Sequence, residues 1–151
     1  MAERPVQRIL IVGGGYVGMY TALRLQKRLK WSSVRITVID PRSYMTYQPF
    51  LPEAAAGSLE PRHVVVPLRR VLRDCQVITG EVIDIRHADR IARVKPRVGD
   101  PYDLAYDQLV VALGSVARTL PIPGLADQGI GFKQVEEAIA LRNHVLDRLD
   151  V

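Results

Sequence analysis

The 151-residue chain is poor in cysteine, in aromatic side chains and in long apolar runs. Its one cysteine, Cys75, excludes an internal disulfide and any metal knuckle built on cysteine, and fits a reducing compartment. Aromatic residues make up 6% of the chain and the basic residues are scattered, so there is no stacking platform for single-stranded nucleic acid and no nucleic-acid partner is expected. No run approaches the ~20 apolar residues of a membrane span. Behind the start MAERPVQR, the apolar run at 9–12 is too short for the core of a signal peptide, so the chain reads as cytoplasmic. His63, His87 and His144 lie far apart and never at ligand spacing, so no metal is expected.

What is present is ordinary for a globular domain: 48% hydrophobic and 25% charged residues. A chain of this length buries roughly 70% of the surface its unfolded form exposes. With 21 basic and 16 acidic residues, the net charge is +5, read as mostly a solvated surface.

Along the chain, RILIV at 8–12 is a continuous branched apolar run, the pattern of a strand buried on both faces. Three glycines follow, then a segment of helical period with Gly18, Ala22, Leu25 and Leu29 on one face. VRITVI at 34–39 is the next strand, which completes a right-handed βαβ unit. The stretch 41–57 holds Pro41, Pro49 and Pro52 and reads as an ordered loop with one helical turn at 53–56. PLRRVLR at 67–73 opens on proline, a favoured first helical residue, and reads as a short helix. Strands at 76–86, 91–94 and 102–106, joined by turns at 87–90 and 99–101, make a small antiparallel meander. Over its last part the first of these sets Ile83 and Ile85 opposite Asp84 and Arg86. LVVAL at 109–113 is again a continuous apolar strand, and a helix over 134–150 closes the chain with Val135, Ala138, Ile139, Val145, Leu146 and Leu149 as its apolar face. The chain stops inside that helix, so a piece of something longer is expected.

Gly13-x-Gly15-x-x-Gly18 would be weak alone. Here it follows a strand, opens a helix and has an acid, Asp40, at the end of the next strand, the context of a dinucleotide-binding fingerprint. Gly13 permits the tight turn, Gly15 lets backbone approach a pyrophosphate, and Gly18 lets the helix pack closely. The pyrophosphate meets the free amides and positive dipole end of the helix. Asp40 can accept hydrogen bonds from a ribose diol and would repel a 2′-phosphate.

The meander interrupting the α/β alternation before LVVALGS resembles the FAD domain of two-dinucleotide-binding flavoproteins, the pyridine nucleotide-disulfide oxidoreductase superfamily. The resemblance implies an α/β fold over 1–151: a Rossmann-like FAD-binding domain with a parallel sheet, a βαβ unit and a small antiparallel β-meander. It implies that the fingerprint holds the ADP half of FAD, with Tyr16 and Val17 between the glycines and Pro41 and Arg42 after the acid. Val82, beside Glu81, would lend backbone groups to adenine. LVVALGS is similar to the family's ATG motif and implicates Ala112 and Gly114, with Leu113 standing where threonine is common.

The segment from Tyr47 to Leu59, the following VVVPLRRVL, and GFKQVEEAIALR at 131–142 are similar to type II NADH dehydrogenases. In those enzymes the Gln-Pro-x-Leu stretch passes near the isoalloxazine ring, which implicates Thr46, Gln48, Pro49 and Leu51. The implied reaction is hydride transfer from NADH to FAD and electron transfer to a quinone, without proton pumping and with no catalytic residue in this chain. NADH would be bound by a domain outside these residues, and the piece alone would be inactive. The resemblance is compatible with a homodimer and with a peripheral position on the inner face of the cell membrane.

Alternatives stay open: a sulfide:quinone oxidoreductase-like flavoprotein, or a non-catalytic nucleotide-binding or interaction module. Residues 44–57 hold no cysteine, which excludes a redox Cys-x4-Cys in its usual place, and GIGFKQVEE lacks the cysteine many sulfide enzymes carry. Cys75 reads as a small buried hydrophobe. Arg62, Arg69, Arg70 and Arg73 read as a solvated face, with anionic lipid the sharper alternative. Tyr44 and Tyr47 could touch flavin or pack under their loop.

Overall fold

The computed structural model describes residues 6–30 and 32–149. Residues 1–5, with most of the start MAERPVQR, and the expected helix end at Asp150 lie outside the described residues.

The elements run β1 (Gln7–Val12), α1 (Tyr16–Arg28), β2 (Val34–Asp40), β3 (Tyr44–Thr46), α2 (Leu51–Ala55), β4 (Val65–Pro67), α3 (Leu68–Val71), β5 (Gln76–Arg86), β6 (Ile91–Pro96), β7 (Tyr102–Ala105), β8 (Gln108–Val111), α4 (Leu125–Gln128) and α5 (Val135–Leu149). Single 3-10 turns cover Gln48–Phe50 and Pro61–Val64. The chain divides into two compact units, one of Met1–Met45 with Pro67–Gly114, the other of Thr46–Val66 with Ser115–Val151.

The first unit is built on a six-stranded sheet in the order β7-β6-β5-β2-β1-β8. β5, β2, β1 and β8 run parallel, while β6 and β7 are antiparallel additions to the far part of β5. Central β1 and β2 are apolar without alternation because both of their faces are covered: Leu10, Ile11, Val38 and Ile39 are at most 1% exposed. Each such side chain contributes about 1.5–3 kcal/mol relative to an exposed one. A second packing centre joins Leu10, Val12 and Ile39 to Ala92, Val94 and Tyr106, with Ile78, Val82, Leu104 and Leu109 against it. The Tyr106 hydroxyl lies 3.0 Å from Nδ1 of His87, and its backbone N–H donates to the Arg90 carbonyl. The buried tyrosine thus pins the β5–β6 turn to the sheet.

At the sheet's N-terminal end, Arg8 donates to Asp107 through its backbone N–H (2.7 Å), Nε (3.1 Å) and Nη2 (2.9 Å). On α1, Gly18 and Ala22 are buried and Leu25 and Leu29 are half-buried, as the helical period requires.

The second unit packs α2 on α5, with Leu51, Ala54, Val64, Val135 and Ala138 buried. Glu137 sits in the first turn of α5 and accepts the N–H groups of Lys133 (2.5 Å) and Gln134 (2.9 Å), a reach-back that satisfies the donor at the N-cap and ties the preceding residue to the helix start.

Several boundaries differ from the sequence expectation. The stretch 41–57 contains a strand, β3, which pairs with β4 in a two-stranded sheet. Three-residue strands have too short a period to be read locally. α3 is shorter than 67–73: Pro67 is its N-cap, and Leu72 (ψ 59) has left helical geometry. β8 ends at Val111 rather than Leu113, because its partner β1 ends at Val12. A further short helix, α4, lies between the expected 109–113 strand and the last helix. Ile83 and Ile85 are 52% and 37% exposed, after a register shift between Val82 and Asp84. Of the apolar face expected on α5, Val145, Leu146 and Leu149 are exposed.

Candidate functional site

β1 and β8 lie side by side in the sheet, and β2 flanks β1 on the other side, so the strand order reverses between β1 and β8. A crevice opens outside the carboxyl ends of parallel strands at such a point. The chain segments at those ends are Gly13-Gly14-Gly15, Asp40-Pro41-Arg42 and Ala112-Leu113-Gly114.

Each fingerprint glycine has a separate reason to be glycine. Gly13 has φ +104, and a Cβ there would lie 2.2 Å from the Ala112 carbonyl oxygen, so the turn and its approach to the β8 segment both exclude a side chain. A Cβ on Gly18 would lie 1.8 Å from the Gly13 carbonyl oxygen, so the helix can sit this close to the turn only without one. Gly15 differs from both. It is exposed, and a Cβ there would meet nothing within 4 Å. The fold does not need glycine at 15, and the backbone there is open to approach.

Gly15 is also the N-cap of α1, with no side-chain cap and no acidic residue in the first turn. The helix therefore presents the positive end of its dipole over an open glycine, with no acidic residue of its own first turn to offset it. That arrangement fits a pyrophosphate. Tyr16 and Val17 form the start of this turn, Val17 being 65% exposed.

Asp40 closes the other flank. Its Oδ2 accepts the Gly14 N–H (2.6 Å) and its Oδ1 the Arg42 N–H (2.7 Å), so the carboxylate staples the glycine turn to the end of β2 while keeping lone pairs on both oxygens for a diol. Gly14 was missed by sequence reasoning. A Cβ there would lie 2.5 Å from Cδ1 of Leu68 and 3.2 Å from Cβ of Asp40, and a glycine between the two that the fingerprint requires was the signal. Ala112 donates its N–H to the Val12 carbonyl (2.8 Å), and Gly114 (φ +69) is exposed with open space around it.

Val82 is half-buried and packs its side chain against the core cluster. Next to it lies a cavity of about 250 Å³ lined by Pro41, Gly80, Glu81, Lys95, Pro96 and Arg97. Lys95, Pro96 and Arg97 were also missed; they reach this place only through the pairing of Gly80 with Pro96 and Glu81 with Lys95. An isolated glycine within a strand, Gly80, was the available sign of close backbone approach.

In the second unit, Thr46 and Gln48 are half-buried and Pro49 is exposed, while Leu51 is 1% exposed and packs inside the unit. Nε2 of Gln48 donates to the Lys133 carbonyl (3.2 Å), and Nζ of Lys133 donates to Oγ of Ser115 (2.6 Å). Tyr47 packs edge-on against Phe50 with ring centroids 4.9 Å apart. The half-buried Cys75 thiol is pushed up to about 11 by burial and then by Asp74, so it is protonated and unreactive at neutral pH. Among the described residues no group of three or more His, Cys, Asp or Glu could hold a metal ion, and no helix is long and apolar enough to cross a membrane.

A mixed α/β sheet of this topology, with an open glycine at a helix start and a stapling acid on the next strand, defines a Rossmann-type dinucleotide-binding domain. The model of the pyridine nucleotide-disulphide oxidoreductase family matches residues 7–149, and the chain belongs to that family. It is 34% identical over 144 residues to the type II NADH:quinone oxidoreductase of Staphylococcus haemolyticus, an alignment covering 94% of this chain and 35% of that protein. The solved structure of NDH2 from Plasmodium falciparum in complex with NADH matches with a TM-score of 0.86 at 25% identity, covering 97% of this chain and 30% of that one. The sulfide:quinone oxidoreductase from Aquifex aeolicus shares the fold, with a TM-score of 0.81 at 21% identity, over 95% of this chain and 32% of that one. The chain spans 26% and 35% of the length of two of the curated relatives it matches.

Proposed function

We propose that these residues form the FAD-binding part of a type II-like NADH:quinone oxidoreductase. The observation that carries this reading is Gly15: an unhindered, exposed glycine capping a helix start that has no acidic side chain. The reading is supported further by family membership and by the relatives named for NADH and quinone.

When bound, FAD supplies the hydride-accepting and electron-donating chemistry, and this chain supplies binding and orientation. Gly15 and the first amides of α1 hold the pyrophosphate. Asp40 accepts the ribose hydroxyls while continuing to hold Gly14 and Arg42. The backbone beside Val82 faces adenine, and Ala112 and Gly114 border the crevice at the end of β8. Thr46, Gln48 and Pro49 are assigned to the flavin end by their resemblance to the family segment, and the buried Leu51 holds that segment in place. NADH and the quinone engage parts of the protein outside these residues. A peripheral contact with a membrane surface agrees with a quinone acceptor and with the exposed Arg62, Arg69, Arg70 and Arg73. The sulfide reading has less support, since Cys75 is the chain's one thiol and is held protonated by burial.

The test is the visible absorption spectrum of the purified chain with chromatographic identification of any released nucleotide. FAD, co-purifying or taken up on titration, is the expected result. A chain that takes up neither FAD nor ADP overturns the proposal.

A further inference from the structure

Just before α5 the second unit holds a cation with no anion paired to it. Lys133 is half-buried, its Nζ donates to Oγ of Ser115 (2.6 Å), and no acidic side chain pairs with that ammonium among the described residues. Glu137, one turn on, directs its Oε2 to the backbone N–H groups of Lys133 and Gln134 instead of to the ammonium. Gly131 leaves room for that arrangement, since a Cβ there would run into the Glu137 carboxylate. The Lys133 carbonyl in turn accepts Nε2 of Gln48 (3.2 Å). Backbone and side chain of Lys133 are thus held from three sides, and the charge is left over. Two of those holds lead to segments assigned to the cofactor: Gln48 belongs to the flavin-end stretch, and Ser115 directly follows Gly114 at the end of the β8 segment.

We infer that Lys133 supplies the positive charge that favours reduced over oxidised flavin at this site. The inference rests on the flavoprotein reading above. In that reading a C–H bond of NADH breaks, its proton and electron pair pass together to the ring, and NAD+ is left. The oxidised ring is neutral, so the ring gains one negative charge in this step. A fixed cation favours the charged state and has no equal interaction with the neutral one. Partial burial keeps that attraction from being fully screened by water. Ser115 and the backbone clamp hold the ammonium in place before the charge arrives, so nothing need reorganise when it does. Lys133 itself neither gives up nor takes a proton.

The test is the two-electron midpoint potential of FAD bound to the chain, measured by equilibration with a redox dye. It is made on the parent, Lys133→Met, Lys133→Gln and Lys133→Arg, with FAD titration and thermal melting of each. An interaction with a charged group is worth about tenfold or more in affinity. Lys133→Met is therefore expected to hold reduced FAD about tenfold more weakly relative to oxidised FAD, a fall of about 30 mV in a two-electron potential. Lys133→Gln keeps a donor for Ser115 but no charge, and the same fall is expected. Lys133→Arg keeps the charge and is expected to keep the parent's potential. A lysine that only ties the start of α5 to Ser115 would change the melting temperature and leave the potential alone. An unchanged potential in Lys133→Met or Lys133→Gln overturns the inference and leaves the flavoprotein reading standing. A parent chain that takes up no FAD overturns that reading, and this inference with it.

Discussion

Replacing Gly15 by alanine separates what the fold needs from what a ligand needs. The backbone at Gly15 has φ −70 and ψ −161, extended geometry that any residue adopts, and a methyl group there meets nothing within 4 Å. Two small stability effects oppose each other. Alanine restricts the unfolded chain, a gain of about 0.4–1 kcal/mol, and is a poorer N-cap than glycine by a similar amount. The net change is therefore about zero, a melting shift within ~2 °C for a chain of this size. Binding should respond differently, because the methyl occupies the open side over the first amides of α1. Losing one hydrogen bond to a phosphate costs about 1.5–3 kcal/mol, which is roughly a tenfold to hundredfold loss of ADP affinity. Thermal melting and ADP titration on the same preparation measure both. A Gly15→Ala chain that binds ADP as well as the parent would refute the assignment of the pyrophosphate to this turn. One that melts far lower would refute the reading of Gly15 as structurally free.

Gly18→Ala should do the reverse of a silent change: its Cβ would overlap a backbone carbonyl at 1.8 Å, and neither partner can rotate away. Overpacking of about 1–3 kcal/mol should outweigh a helix-propensity gain of at most about 1 kcal/mol, so a chemical melt should show net destabilisation. Asp40→Ala removes the acceptor of two backbone N–H groups and should lower both melting temperature and ADP affinity, whereas a pure ribose contact would lower affinity alone. Asp107 is held down to about 2 chiefly by the Arg8 side chain and then by the Arg8 backbone N–H. Because the folded value lies below the unfolded one, the Arg8 pairing stabilises at neutral pH and is lost as pH falls from about 4 towards 2. Asp107→Asn should flatten the acid limb of a stability profile, and an unchanged limb would contradict the pairing. Cys75, raised to about 11 by burial, should react slowly with iodoacetamide at pH 8 and rapidly once guanidinium unfolds the chain; rapid labelling of the folded chain would contradict its burial.

The site was legible where local chemistry demands a residue type, and illegible where distant pairing creates the surface. Gly13, Gly15, Gly18 and Asp40 could be placed because strand, turn, helix and acid follow within one βαβ unit. Their geometry then shows that the turn itself needs glycine at 13 and 18 and leaves position 15 open. Gly14 escaped because its constraint comes from Leu68, far along the chain. Lys95, Pro96 and Arg97 escaped for the same reason: only the antiparallel register of β5 with β6 brings them beside Pro41. β3 and β4 are three residues each and depend on pairing with one another, so no local period announces them. The apolar stripe of α5 was read correctly as a stripe, but periodicity says nothing of how much of it is covered, and its C-terminal half lies open.

On the proposed reading, the glycine turn and the start of α1 grip the pyrophosphate of a dinucleotide. Calorimetric titration of the chain with ADP and with adenosine tests it most directly, since the two share base and ribose and differ only in the phosphates. ADP is expected to bind at least about tenfold tighter, the worth of one charge-assisted hydrogen bond, and rising salt is expected to erode the difference. Equal affinity for ADP and adenosine would contradict it.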